Sequence, residues 1–175
     1  MAFVRIFFVL IFGLLTLPIR LILRRAQFGG NFVVLPGDDP GLAAAKAKAQ
    51  ATLPKFLRRL AAPGTDLTSA AVKAPLTVPG GTEHVWLSDI RYENGEFVGT
   101  VANDPRQATD VRIGQVVRVR ESEISDWKLV DGGRLIGGYT IRYFLSRMPA
   151  KQRAALIASL PFTIEPEGLP PNAAA

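Results

Sequence analysis

ISDWKLVDGGRLIGGYTIRYF, residues 124–144, decides the architecture, because its second half reads either as a further strand or as a helix. Asp131-Gly132-Gly133 separates two β-prone runs and predicts a hairpin turn. Beyond it Tyr139, Ile141, Tyr143 and Leu145 alternate with Thr140, Arg142 and Phe144. That period of two predicts a long strand and not a helix. Gly137-Gly138 lies inside this run, and a pair without side chains to pack predicts a bulge or a sharp bend.

Upstream, HVWLSDIRY (84–92) and FVGTVA (97–102) flank Asn94-Gly95, the strongest short signal for a hairpin because both residues accept positive φ. Asn103-Asp104-Pro105 predicts a second turn, and QVVRVR (115–120) a further strand. Residues 63–81, punctuated by Pro63-Gly64, Pro75 and Pro79-Gly80-Gly81, read as a loop-rich passage before the sheet. Asp39-Pro40 opens a helix in which Leu42, Ala45, Ala49, Leu53, Phe56, Leu57 and Leu60 recur at three and four. Pro54 is expected to kink or divide it. Pro149 starts a short helix over 149–160, with Leu156, Ile157 and Leu160 facing inward, and residues 161–175 form a Pro/Ala-rich tail.

The fold class that follows is α+β. A twisted antiparallel sheet of about five strands is packed by a long N-terminal helix and a short C-terminal helix.

The net charge of +6 resembles that of a nucleic-acid binder until the charge is located. Arg5, Arg20, Arg24 and Arg25 lie in the first 25 residues, which hold no acid, and the remainder carries 17 basic against 15 acidic side chains. A body so nearly neutral lacks the concentrated basic face that phosphate backbones require, so no nucleic-acid partner is expected. Residues 6–23 are apolar apart from Thr16 and Arg20 and reach roughly the length of a bilayer span. Residues 1–26 are therefore read as a transmembrane anchor or uncleaved signal, followed by a linker over 27–38 and a domain over 39–160. A single pass through the cell membrane is expected. The arginines after the apolar run place the body in the cytoplasm, whereas the signal-like layout would export it to the periplasm.

Taken together, DDPGLAAAKAKAQATLPKFLRRL (38–60), EHVWLSDI (83–90), VANDP (101–105), IGQVVRVRESEISDW (113–127) and DGGRLIGGYTIR (131–142) resemble the YegJ-like family, also called domain of unknown function 2314. The resemblance runs from about residue 38 to 160 in the family's order. It implies domain boundaries and no established activity.

His84 is the single histidine and there is no cysteine, so neither a two-histidine nor a thiolate metal site is expected. His84 is a candidate general base, with Asp89, Asp104 or Asp126 to orient it; a strand-entrance histidine bonded for structure is the alternative. Ser88, Ser122 and Ser125 lack the Gly-x-Ser-x-Gly setting of a hydrolase nucleophile. The paired glycines lack the context of a nucleotide loop, so no cofactor is implied. Trp86, Asp126, Trp127, Tyr139 and Arg142 are the candidates for ligand or partner contact. Asp126 and Arg142 are expected to pair across adjacent strands, either as a buried brace or at the edge of a groove that binds a peptide or polar ligand. The function expected is a membrane-held, noncatalytic binding module. A small envelope enzyme using His84 with an aspartate is the alternative.

Overall fold

The computed structural model describes residues 39–78, 81–105, 108 and 110–165. The Asp39 side chain accepts the Leu42 N–H at 2.9 Å and Pro40 occupies the first turn, so helix α1 runs Pro40–Ala61. Of the kink or division expected at Pro54, the division does not occur. Leu53 and Phe56, on either side of the proline, are both buried in the core, and that packing outweighs one missing backbone hydrogen bond.

Six strands form one sheet: β1 (Leu67–Val78), β2 (Gly81–Glu93), β3 (Glu96–Val101), β4 (Val116–Arg120), β5 (Asp126–Asp131) and β6 (Arg134–Gly137). Their order is β4-β3-β2-β1-β5-β6, and all neighbours are antiparallel. Six strands replace the expected five because the passage read as loop is β1, flanked by β2 and β5. Pro75 does not break it. The Lys73 carbonyl accepts the Ser125 N–H at 2.8 Å, and in a strand residue 75 turns its backbone to the same side as residue 73. That is the side on which β5 has already ended, so the absent N–H forfeits no ladder bond.

Residues 124–144 also depart from expectation. The chain leaves the sheet after Gly137, and residues Tyr139–Arg147 form helix α2 where a long strand is expected. Gly137 and Gly138 have φ of 72° and 65°, a conformation that turns the backbone out of the ladder. A Cβ at Gly137 would lie 2.6 Å from the Trp127 ring and carbonyl, so the turn is made against a packed indole. Both two-residue hairpins agree with expectation: Asn94 and Gly95 join β2 to β3, and Gly132 and Gly133 join β5 to β6, all at positive φ.

Ala49, Leu53 and Phe56 of α1 pack on Val72, Ala74, Val85, Leu87, Phe97, Trp127 and Leu129 of the sheet. The Phe56 ring centroid lies 6.0 Å from that of Phe97 and 5.6 Å from that of Trp127. Only residues 121–125 carry the chain from β4 to β5. In a flat sheet those strands would stand roughly 19 Å apart. The connection opens with a 3-10 turn at Glu121–Glu123 and spans roughly 16 Å at most. The sheet therefore curls around α1, helped by a bulge in β2 where Asp89 adopts φ 52° and the register against β3 slips. Gln50 of α1 holds the crossover from within, donating to the carbonyls of Glu121 at 3.2 Å and of Ile124.

Residues Met148–Pro161 belong to a second unit, in which Ala150–Ala158 form the expected short helix, α3. The proposed anchor over 1–26 and the linker over 27–38 lie outside the described residues. No helix among the described residues is long and apolar enough to cross a membrane.

Candidate functional site

On the face of the sheet turned away from α1, strand register sets Trp86 of β2, Lys73 of β1 and Asp126 of β5 abreast. Lys128, two residues further along β5, shares that face. The Lys128 ammonium lies 4.7 Å from the centre of the Trp86 ring, and Lys73 lies 5.7 Å from the same ring and 5.7 Å from Phe144 of α2. Trp86, Lys73, Lys128 and Phe144 are half-buried. Burial pulls both lysines below the usual ammonium range, and the Asp126 charge acts against it in each case. Among the described residues neither lysine has a carboxylate within ion-pair distance.

Asp126 is fully buried and cannot serve as that partner, because its oxygens are already engaged. They accept the N–H groups of Trp127 at 2.8 Å, Tyr139 at 3.1 Å and Thr140 at 2.9 Å, and the Thr140 hydroxyl at 2.6 Å. The carboxylate caps α2 from a neighbouring strand. Burial raises its pKa, and these hydrogen bonds oppose the rise. Thr140 in turn accepts from the Lys73 ammonium at 3.4 Å, which links the lysine to the carboxylate through one hydroxyl.

His84 is placed between Lys46 and Ser125. Its Nε2 lies 3.3 Å from the Lys46 ammonium and its Nδ1 2.9 Å from the Ser125 hydroxyl. An ammonium can only donate, so Nε2 accepts and Nδ1 carries the proton toward Ser125. The Ser125 hydroxyl then donates to the Lys73 carbonyl at 3.2 Å. A base that activates a serine must accept its proton, and this chain runs the other way. Burial first, then Lys46 and Lys73, pull the imidazole pKa down to about 4, so it is neutral at pH 7. The expected His84–aspartate arrangement is absent: Asp89 is exposed and is bonded by the Ser88 hydroxyl, and Asp126 is committed to α2.

The expected Asp126–Arg142 pair does not form either. Arg142 lies on α2 and donates to the carbonyls of Gly137 at 2.9 Å, Leu135 at 2.8 Å and Glu165. On the helix its guanidinium reaches the carbonyls at the end of β6. Trp127 is 1 % exposed and donates its indole N–H to the Ala49 carbonyl at 3.0 Å; Tyr139 is 8 % exposed and packs edge-on against Trp127 at 5.8 Å. Neither has a free face. Of the five contact candidates, Trp86 is the one that the fold sets in the half-buried lysine–aromatic cluster. Lys73, Lys128 and Phe144 were not among the candidates. A lone lysine in the apolar run SAAVKAPL (69–76) is the sequence signal that points to Lys73. A cleft of about 560 Å³ beside Gln50, Asn94 and Arg120 holds none of these groups.

The family described as "Uncharacterized protein conserved in bacteria (DUF2314)" matches residues 39–162. The chain belongs to this family. This DUF2314 chain is 43 % identical over 95 residues to the uncharacterized protein YegJ of Escherichia coli (strain K12), covering 54 % of the chain and 62 % of YegJ. It is 34 % identical over 91 residues to a putative ankyrin repeat protein of Neisseria meningitidis serogroup B, covering 50 % of the chain and 36 % of that protein. The DUF2314 chain thus spans less than two thirds of the length of either curated relative. No solved structure matches it.

Proposed function

We propose that the protein is a noncatalytic binding module held at a membrane by residues 6–23, and that its recognition surface is the open sheet face around Trp86. The observation that carries this reading is the pair of half-buried ammonium groups on one indole, with the nearby carboxylate already saturated. Half-buried ammonium groups with no carboxylate in contact cost stability, and a fold that keeps them has a use for them outside its own packing. The reversed hydrogen-bond direction at Ser125 weighs against hydrolytic use of His84.

The test is capture of the full-length protein from native membranes, wild type beside Trp86→Ala, with bound molecules identified by mass spectrometry. A molecule retained by wild type and lost from Trp86→Ala is expected. Identical retention by both removes this face from the reading. The anchor is checked separately by carbonate extraction and N-terminal sequencing, which should find Met1 or Ala2 in the membrane fraction. A mature chain that begins near residue 28 would overturn it.

A further inference from the structure

We propose that the open face is a carboxylate-binding site, in which Lys73 and Lys128 together receive one carboxylate carried on an apolar body. The inference rests on the binding reading above and names its chemistry.

Three features carry it. The first is charge. Lys73 and Lys128 bring two positive charges and Asp126 one negative, and Lys46, 3.3 Å from the neutral imidazole of His84, keeps its own charge beside them. Net positive charge is left over, and an anion offsets it. The second is reach. Both ammonium groups approach the same ring, at 4.7 and 5.7 Å from its centre, so they stand within roughly 10 Å of each other. An ammonium is a compact donor with no preferred plane, and two of them can share one carboxylate without the fork geometry an arginine imposes. The third is the wall. Trp86 and Phe144 line the site with aromatic carbon, which gives an organic acid an apolar contact that an inorganic ion cannot use. Asp126 cannot be displaced by the incoming group, because it holds the start of α2.

A carboxylate of this kind comes either from an acidic segment of a protein or from a free small acid, and the test separates them. The full chain in detergent is labelled with acetic anhydride in sodium chloride, in sodium butyrate at the same ionic strength, and in chloride with a tetraglutamate peptide. Acetylation at Lys73, Lys128 and the exposed Lys55 is read by mass spectrometry. At least threefold slower labelling of both Lys73 and Lys128, with Lys55 unchanged, is expected in one of the carboxylate conditions. Protection by tetraglutamate alone identifies an acidic segment; protection by butyrate identifies a small acid. Equal labelling in all three conditions overturns the proposal. The thermal midpoint should also rise with the protecting carboxylate, in wild type and in Lys55→Met and not in Lys128→Met. A rise that survives Lys128→Met overturns it as well. Unchanged labelling beside Trp86-dependent capture would leave a binding module for an uncharged group, whereas the loss of both results would remove the module itself.

Discussion

Removing the Asp126 carboxylate would strip the partner from the Trp127 N–H in β5 and from two backbone N–H groups and one hydroxyl at the start of α2. Buried donors left unpaired cost far more than a bond is worth when made, so Asp126→Ala should destabilise the domain by about 3 kcal/mol or more in urea denaturation. Thr140→Val loses one of the four contacts and should cost about 1 kcal/mol. An equal effect of the two would mean that the carboxylate is not the cap. The glycines beside it differ from each other. An alanine at Gly137 meets both a positive φ and the Trp127 ring at 2.6 Å, whereas at Gly138 the nearest contact is the Leu135 side chain at 3.0 Å. Gly137→Ala should therefore cost about 3 kcal/mol and Gly138→Ala about 1 to 2 kcal/mol, mostly backbone strain. Indistinguishable denaturation midpoints for the two variants would contradict this ranking.

Elements whose chemistry is local were legible in the sequence, and those held by distant residues were not. Helix α1 announces itself through Asp39, Pro40 and an apolar stripe, and the hairpins through Asn94-Gly95 and Gly132-Gly133. Strand β1 was hidden because proline punctuation suggests a loop, and nothing near it in sequence shows that β5 stops short of Pro75. Helix α2 was hidden because YTIRYFL alternates like a strand, while the carboxylate that caps it lies 13 residues upstream of Tyr139. The site shared that fate. His84, Trp86 and Asp126 stood out by residue type, but Lys73 sat in the supposed loop, and Arg142 was given a partner that only a strand would have brought to it. Two substitutions test the elements themselves. Pro54→Ala restores a helical N–H at an exposed position of α1 and should stabilise the fold by about 1 to 2 kcal/mol, observed as a higher denaturation midpoint. Gln50→Ala should cost about 1 to 2 kcal/mol by releasing the crossover carbonyls, and faster amide exchange in residues 121–125 would locate the loss.

Across the whole molecule, stability should depend on acid through His84. Its pKa is about 4 in the fold against 6.5 for the free side chain, so over that window the unfolded chain binds the proton and the folded one does not. Stability is therefore fully present above about pH 6.5 and falls as the pH drops toward 4. The ring is partly open to solvent, which screens the contribution to roughly 1 to 2 kcal/mol. His84→Gln should flatten this part of the curve of unfolding free energy against pH; an unchanged slope would show that other groups set it. The sheet's two margins also differ. Thr163 lies along β6, accepting the Leu135 N–H and donating to the Gly133 carbonyl, each at 2.9 Å, while nothing among the described residues pairs with the outer side of β4. A filament grown strand to strand needs two free margins on every copy, and the described residues of this protein offer one. Two copies meeting through β4 would have nothing left to extend, so association by that route ends at a pair. Thr163→Pro, which deletes the donor to Gly133, should open the second margin. Sedimentation would then find species larger than dimers in the variant alone.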